Sequence, residues 1–348
     1  MIVDEAHNIE GQLLNYVELT ITESALALVG EELPPGLTTA DAVREWIRGG
    51  LLDRVHDAAM DEDMPVPDRE RLEHLGAKLD LFLDYTERTE WIIEYAADRN
   101  NRKLACRPVY AHDFAEDLLF SKADRILGVS ATILSREIWA ANLGLAPGDV
   151  ELIQMGSDFP VANRPILREY LGNMNYASKD ATLPKLIAWL KNTCLPAHAG
   201  ERGIIHAHSF TLAQAIVRGV GSPRLLLHEG GVDKREVLAR HAARPDSVIV
   251  APAFHEGIDL KDDLSRFQVI AKTPYPSIAD PVIKRRMETA SGRTWFAWLT
   301  ILKFCQSVGR SVRSKDDHAV TYITDAGFDG LYSRNRGMFP RWIQEAMV

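Results

Sequence analysis

Residues 1–7 read Met-Ile-Val-Asp-Glu-Ala-His, and this stretch decides how the rest of the chain is interpreted. Ile2 and Val3 are typical of the end of a buried strand, and Asp4 and Glu5 follow where such a strand gives way to a loop. Folds that hydrolyse nucleotides place a magnesium-holding Asp at this point. The phosphate-cradling sequence G-x-x-x-x-G-K-[ST] normally precedes that strand, and it occurs nowhere in these 348 residues. The stretch therefore predicts a nucleotide-hydrolysing fold without its phosphate loop.

Length and composition indicate a protein of about two domains. Hydrophobic residues make up 46% of the chain, and no apolar run approaches the ~20 residues of a membrane span. The N-terminus has no apolar signal core, and the three distant cysteines argue against a disulfide framework, a zinc site or an iron–sulfur cluster from this chain alone. We therefore predict a cytoplasmic protein. The net charge of −9 counts mildly against nucleic acid, although large motors bind strands in local grooves.

The first third of the chain is interpreted as a helical block between two strands. Residues 9–123 carry apolar stripes near helical spacing, at 13–21, 43–55 and 72–95. Residues 102–110 alternate well enough for a short strand. Residues 126–130 form an apolar run that ends in small polar residues, and we expect it to pair with residues 2–3. Ser130 and Thr132 supply two hydroxyls there, although an ordinary strand-to-helix cap explains them equally well.

After residue 160, predicted strands and helices alternate. The strands are 203–208, 224–227, 247–251, 267–272 and 319–324, and the helices are 183–195, 211–220, 232–243 and 293–308. Such alternation predicts an α/β fold with a parallel sheet covered on both faces. The last helix is apolar nearly all round, so we expect it to be deeply buried.

Two groups of charged residues carry the chemistry of phosphoryl transfer. Asp4 can hold magnesium through bound water while Glu5 orients the attacking water. Residues 306–313 read Gln-Ser-Val-Gly-Arg-Ser-Val-Arg, so Arg310 and Arg313 stand three residues apart and are expected to share a helix face. Guanidinium groups suit a dispersed phosphate charge. The alternatives are a charged helix cap for the first group and surface ion pairs for the second.

Residues 254–260, Phe-His-Glu-Gly-Ile-Asp-Leu, come directly after a predicted strand. Open α/β sheets bind ligands at the carboxyl ends of their strands. Gly257 would let the backbone approach a phosphate or sugar, while Glu256 and Asp259 can accept hydrogen bonds from hydroxyl groups. An acidic turn is the alternative interpretation.

Taken in this order, with the helical block between the first two, these segments resemble the XPD/DinG-like superfamily 2 DNA helicases. The resemblance runs from Asp4 to about Phe328. It is carried by D-E-A-H at 4–7, G-V-S-A-T-I at 128–133, I-I-H-A-H-S-F at 204–210, A-F-H-E-G-I-D-L at 253–260 and Q-S-V-G-R-S-V-R-S at 306–314. The resemblance implies a RecA-like second lobe (161–348), a truncated first RecA-like lobe (1–8 and 124–160) and an inserted helical arch-like domain (9–123).

The resemblance also implies ATP-driven 5′→3′ translocation on single-stranded or forked DNA, with ATP and Mg²⁺ as cofactors. Asp4 would hold magnesium and Glu5 would orient water. The other catalytic positions would be His7 and Gln306, which link hydrolysis to lobe movement, and Arg310 and Arg313, which complete the site from the second lobe. Cofactor binding would involve Glu256, Gly257, Asp259 and Gly309, and coupling to nucleic acid would involve Ser130, Thr132 and Ser209.

The family's phosphate loop and its four-cysteine cluster both precede the D-E-A-H segment, in a region that these residues do not include. We therefore expect the C-terminal portion of a helicase, without an iron–sulfur cluster of its own, that needs an N-terminal half carrying the phosphate loop. The isolated chain is expected to show no DNA-stimulated ATPase. The alternatives are a non-catalytic nucleic-acid-binding or regulatory remnant, and an RNA-directed ATPase of the same fold. No membrane partner is expected.

Overall fold

The computed structural model describes residues 1–98, 101–229, 233–252 and 260–348. The chain divides into two compact units: unit 1 comprises residues 1–152 and 277–292, and unit 2 comprises residues 153–276 and 293–348. Residues 277–292, which the predicted second lobe includes, thus pack within unit 1. Among the described residues, none of the helices combines the length and the apolar character needed to span a bilayer.

Unit 1 begins with a short pair of parallel strands, β1 (Ile2–Val3) and β5 (Leu127–Gly128), with Ile2 opposite Leu127. The prediction that residues 126–130 return to pair with residues 2–3 is confirmed. The prediction that Ile2 is buried is wrong, because its exposed fraction is 74% and that of Leu127 is 57%. A two-stranded sheet cannot cover its own faces, and parallel strands are normally covered on both sides.

The segment between β1 and β5 combines helices with a small antiparallel sheet. Its elements are α1 (Ile9–Val17), β2 (Leu19–Thr22), α2 (Glu23–Leu26), α3 (Ala40–Trp46), α4 (Leu52–Ala59), α5 (Val66–Tyr85), β3 (Trp91–Asp98), β4 (Asn101–Pro108) and α6 (Ala115–Leu118), and α7 (Arg136–Asn142) follows β5. A π-helical turn, Ile47–Leu51, joins α3 to α4. The predicted helices are largely confirmed, as is the strand near residues 102–110.

Two of the predicted helical stripes run into strands instead. Ile21 lies in β2, and Trp91, Ile92 and Tyr95 lie in β3, so their assignment to helices is wrong. The sheet order is β2-β4-β3. Aromatic and β-branched residues favour a pleated surface that is buried on one side. The ring of Trp91 packs edge-on against Phe82 of α5, with 4.7 Å between centroids, and this contact joins the sheet to the helices.

Unit 2 is built on a parallel sheet, as predicted, and this sheet has six strands. Its elements up to residue 276 are β6 (Ile166–Gly172), α8 (Lys179–Trp189), α9 (Leu195–Ala197), β7 (Gly203–His206), α10 (Phe210–Val220), β8 (Leu225–Leu227), α11 (Lys234–Ala242), β9 (Val248–Ala251) and β10 (Phe267–Ile270). The strand order is β6-β11-β10-β7-β9-β8, in which β11 is Val320–Asp325. The five predicted strands are all present, whereas β6 was not predicted.

Residues 277–292 form a strap segment within unit 1, and this segment contains α12 (Pro281–Met287). Three ion pairs join it to the rest of that unit: Arg107 with Asp280 (2.9 Å), Arg285 with Glu90 (2.5 Å), and Arg286 with Glu10. The Arg286 guanidinium also donates to Asn142 Oδ1 at 3.2 Å. These contacts explain why the segment packs in unit 1 although its neighbours in sequence lie in unit 2.

The strap segment leads into α13 (Gly292–Val308), which is followed by β11, α14 (Gly327–Asn335) and α15 (Arg341–Ala346). Along α13, Trp298, Ile301 and Phe304 are almost entirely buried. The prediction of a deeply buried helix is therefore confirmed. The last turn of this helix carries Gln306, and the loop with Arg310 and Arg313 begins after the helix ends at Val308.

Candidate functional site

Asp4 and Glu5 lie at the carboxyl end of β1, in a turn with an unusual backbone. Asp4 Oδ1 accepts the Glu5 N–H at 2.9 Å. Glu5 has a φ of 50°, in the left-handed region that non-glycine residues seldom adopt. Such a conformation costs of order 1–3 kcal/mol and is concentrated at functional sites. The turn leaves the Glu5 side chain 61% exposed, so its carboxylate is open to solvent.

His7 joins this turn to the end of β5. The imidazole is buried, and its Nδ1 lies 2.7 Å from Ser130 Oγ and 3.3 Å from Glu5 Oε2. Ser130 Oγ also accepts the Thr132 N–H at 3.1 Å. One ring nitrogen therefore lies between the carboxylate that follows β1 and the hydroxyl that follows β5. The structure thus brings together four predicted site residues: Glu5, His7, Ser130 and Thr132. His7 and Ser130 lie 123 residues apart in the sequence.

Close backbone packing holds the two strand ends in register. The Ala6 N–H donates to the Val129 carbonyl at 2.9 Å, and Trp139 Nε1–H donates to the Ala6 carbonyl at 2.9 Å. A Cβ atom added at Gly128 would lie 2.9 Å from the Cβ of Ala6. A side chain at position 128 would therefore displace the turn with Asp4 and Glu5 from β5.

The donor set at this turn fits magnesium. Mg²⁺ is usually bound by one or two carboxylates and completes its octahedron with water and substrate phosphates. Asp4 and Glu5 supply two adjacent carboxylates, and within the described ranges there is no group of three His, Cys, Asp or Glu side chains that could hold a metal. These two carboxylates could hold a magnesium ion together with water and a nucleotide.

The predicted arginines of unit 2 lie beyond the helix rather than on it. Gln306 is buried in the last turn of α13, which ends at Val308. The Val308 carbonyl accepts a hydrogen bond from Gln268 Nε2 at 2.8 Å, so it has a partner outside the helix. Arg310 is partly buried and Arg313 is exposed in the loop that follows. The prediction that these two arginines share a helix face is therefore wrong.

Two other sets of predicted residues have different outcomes. Glu256, Gly257 and Asp259 lie outside the described residues. Ser209 follows β7 and caps α10, since its Oγ accepts the Leu212 N–H at 3.3 Å. The nucleotide-contacting role of the first set and the coupling role of Ser209 both stay predictions.

Ser209 also contributes to a cavity of about 250 Å³ near the carboxyl ends of strands in unit 2. Its polar lining consists of Ser209, Thr211, Lys179, Asp180 and Lys272, and its apolar lining of Met174, Leu183, Leu212 and Ala215. Tyr176, whose exposed fraction is 90%, has the Lys179 ammonium 5.1 Å from its ring centroid. Neither lysine was predicted from the sequence, although the position of Lys272 at a strand end was an available signal.

Residues 200–346 match the model of the helicase C-terminal domain family. The ATP-dependent DNA helicase YoaA of Escherichia coli (strain K12) is 25% identical over 244 residues, which cover 66% of this chain and 37% of YoaA. The probable ATP-dependent helicase MJ0942 of Methanocaldococcus jannaschii is 22% identical over 272 residues, covering 71% of this chain and 41% of that protein. The chain thus spans about two fifths of these relatives.

Two solved structures share the fold. An XPD helicase superposes with a TM-score of 0.61 at 13% identity, covering 100% of this chain and 68% of that structure. Xpd4 of S. tokodaii superposes with a TM-score of 0.55 at 16% identity, covering 100% of this chain and 75% of that structure. The RecA-like α/β architecture predicted from the sequence is confirmed by these similarities.

Proposed function

This chain is homologous to the XPD/DinG-like DNA helicases, and on that premise we propose that it uses ATP hydrolysis to move 5′→3′ along single-stranded DNA. The observation that carries the proposal is the position of His7 between Glu5 Oε2 and Ser130 Oγ. A carboxylate that orients the attacking water is thereby joined to a hydroxyl at the neighbouring strand end. A displacement of either strand end must then change the position of the hydrolytic group.

Each predicted site residue receives a role in this proposal. Asp4 holds magnesium, which neutralises charge on the phosphates, and Glu5 orients water toward the γ-phosphate. Arg310 and Arg313 stabilise the charge that develops on the transferred group, an effect of about 10³–10⁵ in rate for an arginine finger. Gln306 and His7 link hydrolysis to movement. Nucleotide contacts are proposed for Glu256, Gly257, Asp259 and Gly309, and nucleic-acid coupling for Ser130, Thr132 and Ser209.

We propose that hydrolysis also needs a phosphate loop supplied by polypeptide outside these 348 residues. The exposed pair β1–β5 supports this, because Ile2 and Leu127 offer apolar surface where further strands of a first lobe can pack. The relatives are also longer, since the chain spans only 37% of YoaA. The cytoplasmic location predicted from the composition stays a prediction.

For nucleic acid, we propose that the cavity beside Ser209 binds the phosphodiester backbone of a single strand. Lys179 and Lys272 supply positive charge, and Ser209 and Thr211 supply hydroxyl donors. The exposed ring of Tyr176 offers a surface on which a base can stack. Basic grooves combined with aromatic platforms are how proteins bind single strands without sequence preference.

The decisive experiment measures ATP hydrolysis, with and without single-stranded DNA, for the chain alone and for the chain co-expressed with a segment that carries the phosphate loop. We expect turnover only in the combined protein. Glu5→Gln should then lower kcat by about 10²–10⁴, because it removes a general base while keeping the shape. Glu62→Gln, at an exposed glutamate of the same unit, is the matched control and should have no effect.

Three results would count against the proposal. Turnover by the isolated chain that Glu5→Gln abolishes would show that no second segment is needed. Wild-type turnover in the Glu5→Gln variant would remove Glu5 from the mechanism. The absence of turnover in every combination would favour a nucleic-acid-binding protein without hydrolysis.

A further inference from the structure

Buried polar side chains of unit 2 fix the loop that carries the two arginines through hydrogen bonds. We call residues 309–313, which follow α13, the arginine loop. Within it Ser311 is completely buried and Val312 is 9% exposed, whereas Arg310 is partly buried and Arg313 is exposed. The loop therefore buries Ser311 and Val312 and leaves the Arg313 side chain exposed. A buried hydroxyl in a segment outside any helix or strand needs hydrogen-bond partners from the rest of the unit.

Two of the anchors come from β10 and the turn before it. Gln268 Nε2 donates to the Val308 carbonyl at 2.8 Å, where the loop begins, and to Thr321 Oγ1 at 2.8 Å. Ser265 Oγ and Ser311 Oγ are hydrogen-bonded at 2.8 Å, and both serines are completely buried. The start and the middle of the arginine loop are thereby fixed to the central part of the sheet.

The third anchor is the carboxylate of Asp317, whose side chain is completely buried. Its Oδ2 accepts the Arg313 N–H at 3.1 Å and the Asp262 N–H at 3.1 Å. Its Oδ1 accepts the His318 N–H at 2.9 Å and Arg266 Nη1–H at 2.8 Å. Three backbone donors and one guanidinium thus satisfy the charge. A buried carboxylate is tolerated only with such pairing.

The same oxygen of Asp317 joins two separate segments of unit 2. Asp262 begins the turn Asp262–Leu264 with a φ of 56°, a left-handed conformation that is uncommon for a residue other than glycine. Strained residues persist only where the surroundings over-determine them. The hydrogen bond from Asp262 to Asp317 is one such constraint. Asp317 therefore fixes both the arginine loop and the turn that follows residues 253–259.

We infer that Asp317 is a positioning residue for the arginines: its side chain is completely buried, and it sets where Arg313 and Arg310 are presented by holding the Arg313 backbone. This inference rests on the proposed role of the arginines in ATP hydrolysis. A displacement of about 1 Å at a catalytic group can cost roughly 10²-fold in rate. An asparagine at position 317 keeps the size of the side chain but replaces one acceptor oxygen with a donor, so it cannot satisfy all four donors.

Hydrogen exchange on the full chain, followed by mass spectrometry, tests the contact directly. In Asp317→Asn the amide oxygen should stay with the Arg266 guanidinium, the charged donor, so the NH2 group faces the Arg313 and Asp262 amides. We expect exchange at these two amides to rise at least about tenfold, the scale of losing a hydrogen bond to a charged acceptor. Peptides from β7 and β9 should be unchanged. The matched control is Asp158→Asn, because Asp158 is exposed and lies 4.0 Å from Lys315 near the same loop without a buried contact.

ATP hydrolysis by the combined protein tests the positioning role. Asp317→Asn should lower kcat by about 10² while KM for ATP changes less than about threefold, because an arginine that acts in the transition state affects kcat. Unchanged exchange in Asp317→Asn would overturn the inference, and so would faster exchange with a wild-type kcat. If the wild-type protein hydrolyses no ATP, the proposed function fails, and the exchange result alone decides whether Asp317 holds the loop.

A second variant covers the case in which Asp317→Asn does not fold. Ser265→Ala leaves the carboxylate in place and removes only the hydroxyl that binds Ser311. We expect a smaller but local rise in exchange across the arginine loop and a kcat between those of wild type and Asp317→Asn. Exchange and kcat equal to wild type would show that the buried anchors do not set the position of the loop.

Discussion

Glu5 and Gly128 show how the candidate site depends on single residues. Glu5 adopts a left-handed backbone that directs its carboxylate into solvent, and Gly128 gives the turn around Ala6 the space to pack against β5. Neither feature contributes stability by itself, since the first is strained and the second buries no side chain. Both features place Glu5 Oε2 3.3 Å from His7 Nδ1 while the same nitrogen lies 2.7 Å from Ser130 Oγ.

At this scale we predict that Gly128→Ala destabilises unit 1. The added methyl would lie 2.9 Å from the Ala6 Cβ, so the strand end must shift, and overpacking of this kind costs about 1–3 kcal/mol. Urea unfolding measures the change. Gly148→Ala is the matched control because no atom lies within 4 Å of its added Cβ. Equal stability of the two variants would show that β1 and β5 do not pack as closely as described.

At the scale of elements, two regions carry charged side chains whose roles can be tested. These are the strap segment, and α8 with the loop that precedes it. Three ion pairs join the strap segment to the rest of unit 1, and Arg286 and Glu10 are the most buried of these charged residues, with side chains 7% and 11% exposed. The loop before α8 and the N-terminal turns of α8 and α10 form the walls of the cavity near Ser209. Each element therefore supports a prediction about its charged side chains.

For the strap segment, we predict that Arg286→Ala lowers the free energy of unfolding of unit 1 by about 3–5 kcal/mol, because it leaves the Glu10 carboxylate buried without its guanidinium. The double variant Glu10→Gln/Arg286→Met should recover part of the loss. Arg341→Ala removes a highly exposed pair with Glu345 and should leave stability unchanged. Urea unfolding distinguishes these outcomes, and a loss for Arg286→Ala as small as that of the control would contradict the buried pair.

For the cavity near Ser209, we predict weaker binding of a fluorescein-labelled single-stranded oligonucleotide when Lys179 and Lys272 are both changed to Ala. Loss of two phosphate contacts should reduce the slope of log K against log salt by about 1.4, since each contact with a single strand contributes about 0.7. Tyr176→Ala should cost about 1–3 kcal/mol by removing a stacking surface. Lys191→Ala, at an exposed lysine of the same unit, is the control for both variants. Binding equal to the control would exclude this face, and tighter binding of a matched RNA strand would favour an RNA substrate.

At the scale of the whole molecule, the three cysteines report on both units. Cys106 lies in β4 of unit 1, and Cys194 and Cys305 lie in unit 2. All three are buried and free. Burial raises the pKa of Cys106 and of Cys194 to about 12, and it raises the pKa of Cys305 as well, because a thiolate would lose its hydration. The thiols therefore behave as small apolar groups rather than as nucleophiles or metal ligands.

We predict that stability falls at alkaline pH because of these thiols. Each has a folded-state pKa above its unfolded value of 9.0, so its contribution is complete below about pH 9 and is lost as pH rises toward 12. The loss can reach about 1.4 kcal/mol per pH unit for each thiol. Urea unfolding at about pH 8 and about pH 10.5 measures it, and a triple Cys→Ala variant should show a shallower decline. Equal declines would contradict the burial of the thiols.

Local patterns in the sequence predicted much of the fold. The alternation of strands and helices after residue 160 predicted five of the six strands of unit 2, and the apolar surface of α13 predicted its burial. Two helical stripes were wrong where aromatic and β-branched residues such as Ile21 and Trp91 formed the sheet of unit 1. Spacing over a few residues reports a helical or strand period, but it cannot distinguish the two in short apolar runs.

Distant pairings were decided by the tertiary structure. The residue types along the chain establish which chemical groups are present: two carboxylates after a strand, two arginines after a buried helix, and hydroxyls at strand ends. Only the structure brought His7 to Ser130, joined Arg286 to Glu10, and placed Asp317 beneath the Arg313 backbone. This is because residue type and local periodicity can be read from neighbouring residues in the sequence. The hydrogen-bond partner of a buried polar group, by contrast, depends on which donors and acceptors the folded chain brings within hydrogen-bonding distance.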